Sequence, residues 1–350
     1  MRDLVVHGND LVIATHGRSI WILDDVTPLR QLTAEAAAAP AWLFQPAKAL
    51  RVRPAGFTGT PMPKDEAMAP NPPGGAWIDY ALAAKPQQPV TLEIHDGSGE
   101  LVRRYSSADT VAKPDPATMR TAPQWIVPAS HLEATPGMHR FVWPLQYAAQ
   151  SGPSGDNRRR GDGLWAPPGE YTLTLSVDGK ALIRTLTVAP DPRLNLDPAA
   201  YREEFELARS VEATSAQVAR AQAATGKVRK SVADLRRGAT GELATALDGF
   251  QARLADISGE APGTNPANSF AFPPKRIESL RWLAGALGEL LRMVDGADAA
   301  PSPDARQAFA RLGPMADATL AEWKHLSGAP LDSLNDRLRS AGREPIATGP

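Results

Sequence analysis

The chain has 350 residues, 43% hydrophobic and 22% charged, with 38 Lys and Arg against 39 Asp and Glu. That length allows two or three packed units, and the near-neutral balance excludes the cationic surplus that a nucleic-acid-binding face needs. No apolar run approaches the roughly 18 residues that cross a bilayer, no charged-then-apolar leader opens the chain, and the absence of Cys removes disulfides, thiolate chemistry and Cys-built zinc sites.

Leu11-Val12-Ile13-Ala14, the turn-like Thr15-His16-Gly17-Arg18 and Ser19-Ile20-Trp21-Ile22-Leu23, stopped by Asp24-Asp25, predict a β-hairpin. Leu4-Val5-Val6 is the most that precedes it. Two strands alone cannot cover their apolar faces or close their edges, so this hairpin is expected to belong to a larger sheet. Residues 31–74 read as a strap, because Pro54, Pro61, Pro63, Pro70, Pro72 and Pro73 forbid continuous helix or central strand. Trp42-Leu43-Phe44 offers the strap an apolar anchor.

Strand-like runs follow at 77–82, 90–95, 101–105, 140–145, 171–177 and 181–188. Their spacing is that of an all-β sandwich. Asp96-Gly97-Ser98-Gly99 and Asp178-Gly179-Lys180 supply tight turns, and 106–136 and 148–168 read as surface loops. After Asp197-Pro198 the apolar period changes to between three and four. Stripes such as Val211, Val218, Val228 and Val232, then Leu247, Phe250 and Leu254, then Leu283, Leu287 and Leu290, predict successive amphipathic helices in an antiparallel bundle. Gly226 marks a place where the first of these helices is weakened.

The string Leu11 to Asp25 resembles the closing blade of exported bacterial β-propellers of the sortilin-like, sialidase-repeat type, often labelled glycosyl hydrolases. The matching residues are the turn Thr15, His16, Gly17 and Arg18 and the exit strand with Trp21, Asp24 and Asp25. The region 75–190 is similar to the Ig-like domain of the flagellar hook-capping protein, at Val90-Thr91-Leu92-Glu93-Ile94 and Gly169-Glu170-Tyr171-Thr172-Leu173. The end of the chain, Pro330 to Leu338, is similar to the helical tails of the same proteins. The repeat Ser-x-Asp-x-Gly-x-Thr-Trp is nowhere in the sequence. The resemblance implies that the ring-completing blades lie upstream, and that the chain is the C-terminal portion of a longer, periplasmic or secreted protein.

Chemistry is sparse. A glycosidase needs two carboxylates about 5 to 9 Å apart. Asp24 and Asp25 are adjacent on a strand end and so point to opposite faces. The six His residues, 7, 16, 95, 131, 139 and 325, show no pair at helical ligand spacing. His16 is expected to bond backbone at its turn, and Arg18 to pair with Asp24 or Asp25. Gly152-Pro153-Ser154-Gly155 lacks the strand and helix of a nucleophile elbow, and no phosphate-binding glycine loop is present. Arg158, Arg159 and Arg160 form the densest basic cluster, and Trp125 and Trp165, placed in loops, are the best candidates for stacking on a sugar ring.

These readings converge on a multidomain β plus α chain: a partial propeller blade at 1–30, the strap at 31–74, an Ig-like sandwich at 75–190, a helical bundle at 198–340 and a tail at 341–350. The expected role is non-catalytic binding and scaffolding, with no cofactor and no metal. Its expected partners are the upstream blades and a protein or glycan ligand, without nucleic acid or membrane span. The alternative is the C-terminal fragment of a sialidase- or xyloglucanase-like glycoside hydrolase whose catalytic carboxylates lie in upstream blades.

Overall fold

The computed structural model describes residues 2–53, 72–110, 130–150, 162–259 and 278–347. It mixes strands and helices, and divides into two compact units, Met1–Ala148 with Trp165–Asn195, and Ala149–Leu164 with Leu196–Pro350.

The first unit opens with β1 (Asp3–His7), β2 (Asp10–Ala14) and β3 (Ile20–Leu23), paired antiparallel in that order. The sheet has one strand more than the expected hairpin. Leu4, Val5 and Val6 join it because Gly8, at φ 61°, opens a two-residue turn that sets His7 opposite Asp10. Two short helices follow, α1 (Thr27–Arg30) and α2 (Ala34–Ala38), the second capped by Thr33, whose hydroxyl accepts the Ala36 amide.

Within the strap, β4 (Ala41–Leu43) and β5 (Ala49–Arg51) are edge strands of two different sheets. The antiparallel sheet β4-β6-β9 contains β6 (Ala76–Leu82) and β9 (Gly137–Trp143). The second sheet has the order β5-β13-β12-β7-β8, with β7 (Thr91–His95), β8 (Leu101–Ser106), β12 (Gly169–Val177) and β13 (Lys180–Pro190). The remaining strands, β10 (Gln146–Ala148) and β11 (Asp162–Trp165), are short. Strands β12 and β13 meet at Asp178 and Gly179, both at positive φ, the conformation a two-residue hairpin needs to match strand twist. The Asp178 carboxylate also accepts the amides of Gln87 and Gln88.

Alternation decides what these two sheets bury. Along β7 and β12 every second side chain is inside, and Leu92, Ile94, Leu173 and Leu175 meet Ile78, Tyr80, Phe141 and Trp143 in one apolar core. Each such side chain stabilises by about 1.5 to 3 kcal/mol relative to exposure. Trp143 stacks edge-on against Tyr171 at 5.2 Å and donates its indole N–H to the Gln146 carbonyl. Gly75, at φ 133°, lies so close to this strand that a Cβ would sit 2.3 Å from the Trp143 carbonyl oxygen.

The second unit is helical: α3 (Pro198–Arg236), α4 (Gly241–Ser258), α5 (Leu280–Val294), α6 (Pro303–Leu326) and α7 (Ala329–Ser340). Asp197 and Ser302 cap α3 and α6 with Pro at the first helical position of each. Helix α3 runs unbroken through Gly226, because the long apolar stripe to either side, from Val211 to Val232, is buried against neighbouring helices and outweighs the roughly 1 kcal/mol that glycine costs. The stripes of all five helices share one core. Residues beyond α7, which the sequence leaves as a tail, are held by Asn335, which donates to the Ile346 carbonyl and accepts its amide, and by Arg343, which donates to the carbonyls of Leu235 and Gly238. No helix among the described residues is long and apolar enough to cross a membrane.

Candidate interaction surface at the N-terminal sheet

The residues with the clearest unmet demand are those of β1, β2 and β3. Their register places Leu4, Val6, Leu11, Ile13, Trp21 and Leu23 on one face. Val5, Val12, Ala14, Ile20 and Ile22 occupy the other, with Asp3, His7 and Asp10. Both faces are therefore apolar, and neither is covered: Trp21 is 64% exposed on the first face and Ile22 58% exposed on the second. None of these residues enters either apolar core. A sheet with two apolar faces is the pattern of strands meant to be buried on both sides. Among the described residues no strand pairs with the outer edges of β1 and β3.

Thr15, His16, Gly17 and Arg18 build the β2–β3 turn. Gly17 and Ser19 adopt positive φ, and the Thr15 hydroxyl donates to the Ser19 carbonyl at 2.7 Å while accepting the Arg18 amide at 3.1 Å. The Trp21 indole N–H donates to the Arg18 carbonyl. His16 does not take the expected backbone bond: its Nδ1 accepts from the Arg2 guanidinium, and Thr15 closes the turn instead because its shorter side chain reaches the local amide and carbonyl.

The cation at Asp24 and Asp25 is Arg140 of β9, not Arg18 as the sequence suggests. Arg140 donates Nη1 to the Asp24 carbonyl and Nη2 to the Asp25 carbonyl, each at 2.9 Å. Nε and Nη2 of the same group hold the two Asp79 carboxylate oxygens at 2.8 and 3.2 Å, and its Cζ lies 4.3 Å from the Trp77 ring centre. Burial pushes the Asp79 carboxyl above the usual carboxylate range, the bond and charge of Arg140 pull it back, and Asp25 pushes it further up. The Asp25 carboxylate is itself occupied: it accepts the amide and hydroxyl of Thr27. Asp24 and Asp25 thus serve the exit of the sheet through their carbonyls and local turn bonds.

The other sequence candidates are placed separately. Trp165 is half-buried against the core of the first unit, with the Arg53 guanidinium 5.1 Å from its ring centre, so one ring face is already covered. Trp125, Arg158, Arg159 and Arg160 lie outside the described residues, as do Ser154 and the loop around it. Among the described residues the exposed aromatic is Trp21, on a strand and not in a loop. The available signal was the unbroken run Ile20-Trp21-Ile22-Leu23, which has no polar alternate to turn toward water.

Shifted carboxylates elsewhere are structural. Asp96 is pushed up by burial but held below its ordinary range by bonds from Ser98, the Glu100 amide and Tyr147, which together shape the β7–β8 turn. Among the described residues no group of three or more His, Asp or Glu side chains is placed to hold a metal ion. No family model matches the chain, and no curated protein or solved structure matches it.

Proposed function

We propose that this chain is a non-catalytic binding and scaffolding region of an exported β-propeller protein. In this reading β1 to β3 are part of a closing blade, β4 to β13 form an Ig-like sandwich and α3 to α7 a helical bundle that braces and extends the propeller. The parent is periplasmic or secreted, and the partners are the remaining blades and a protein or glycan ligand.

The observation that carries the reading is the N-terminal sheet, apolar on both faces and exposed on both. A propeller blade is sandwiched between two others, so each of its faces must be apolar. The turn residues Thr15 to Arg18 fit the blade motif at the place where two strands join. The non-catalytic half of the reading is supported by the carboxylates of Asp25 and Asp79, each of which accepts bonds that shape the fold, from Thr27 and from Arg140.

Two measurements test it. Reading the gene upstream of Met1 is expected to reveal sialidase-type repeats in frame, and an upstream region without any would overturn the parentage. A panel of aryl and natural glycosides is expected to show no turnover with this chain. Hydrolysis that co-purifies with it to constant specific activity would overturn the non-catalytic assignment.

A further inference from the structure

We propose that Arg140 is a positioning residue, a joint that sets the N-terminal sheet at a fixed orientation on strands β6 and β9. The inference holds whether or not β1 to β3 belong to a propeller, so its failure leaves the reading above standing, and the reverse is also true.

Among the described residues the sheet contributes none to the apolar core of its unit, so that core does not orient it. What holds it is polar and concentrated at its exit. The Asp25 amide donates to the Asp10 carboxylate at 2.9 Å and the Val26 amide to the Asn9 carbonyl at 2.7 Å, which lock residues 24–27 to the β1–β2 turn. Asp25 sits at φ 50°, in the left-handed region that few residues other than glycine, asparagine and aspartate visit, and its carboxylate bonds locally to Thr27. Two consecutive carbonyls of this turn, those of Asp24 and Asp25, point at one guanidinium.

That guanidinium is held in place because Nε and Nη2 also bond Asp79, which is buried on β6, and its Cζ lies over the Trp77 ring. Asp79 lies directly opposite Arg140 in the β6–β9 register, so both anchoring residues belong to core-bearing strands, Asp79 to the middle strand of its sheet and Arg140 to the strand beside it. A planar fork can hold a carboxylate on one side and two carbonyls on the other; an ammonium cannot do both at once. The requirement is therefore for arginine rather than for positive charge.

The chain has no Cys, so spin labels can be placed without background. Labels at Val5→Cys on β1 and Thr172→Cys on β12 report the separation of the sheet from the five-stranded sheet by pulsed dipolar spectroscopy. The unsubstituted Arg140 background should give one narrow distance distribution. Arg140→Gln should at least double its width, Arg140→Lys should broaden it nearly as much, and near-UV circular dichroism should keep its folded signature. Because Arg140→Gln leaves Asp79 buried without its counter-ion, the double variant Asp79→Asn/Arg140→Gln is measured beside it. The double variant should fold as the parent does and still show the broad distribution. A narrow distribution in either Gln variant overturns the proposal, and so does loss of the folded signature in the double variant, which would make Arg140 a core element rather than a joint.

Discussion

The N-terminal sheet and the five-stranded sheet are built from similar residues and end in opposite circumstances. In β12 the alternation of Tyr171, Leu173 and Leu175 with Thr172, Thr174 and Ser176 gives one face to the core and one to water. In β3 the run Ile20 to Leu23 gives apolar side chains to both, and both remain exposed. The difference teaches that period, more than hydrophobicity, tells how many neighbours a sheet requires. One neighbour satisfies β12; β3 asks for two.

The sharpest way to break this contrast is a matched pair of tryptophans. Trp143→Ala removes a fully buried ring and should cost about 3 to 5 kcal/mol in denaturant unfolding, whereas Trp21→Ala should fall within about 0.5 kcal/mol of the parent. Equal costs would erase the distinction between the two sheets. Gly75→Ala comes next: strained φ and collision with the Trp143 carbonyl should lower stability by about 2 kcal/mol or more, read from the same unfolding midpoint.

Much of the architecture is legible in the sequence alone. The strands at 76–82, 91–95, 101–106 and 169–177 and the helices after Asp197 lie where the two-residue and near-four-residue periods place them. Three things were not legible, each for a physical reason. The third N-terminal strand depended on a turn at Gly8-Asn9 too short to stand out. The edge strands β4 and β5 are only three residues each, below the length at which alternation is detectable. The link between Arg140 and the carbonyls of Asp24 and Asp25 spans more than a hundred residues and is made to backbone, which every residue carries alike. Local pattern therefore pointed to Arg18.

Smaller effects sharpen the comparison further. Ile22→Thr should leave the unfolding midpoint unchanged yet reduce light scattering at high protein concentration, because it interrupts an exposed apolar face beside a free strand edge. An unchanged scattering curve would mean that this face does not promote association between copies of the chain. At the end of β13, bonds from the Arg193 side chain and amide hold the Asp191 carboxyl down at about 2. A carboxylate depressed in the folded state stabilises above its unfolded pKa of about 3.9, and that contribution is lost as pH falls from there toward its folded value. Asp191→Asn should therefore lower the melting temperature slightly at pH 7, and the gap from the parent should close under acid.

The strap carries a practical corollary for anyone dissecting this polypeptide. Because β4 borders β6 while β5 runs parallel to β13, a piece beginning at the apparent domain start near Gly75 would leave two raw strand borders and strip Leu43, Phe44 and Ala49 from the interior. The smallest autonomous segment of this half must begin upstream of Ala41, among residues whose composition advertises them as dispensable spacer.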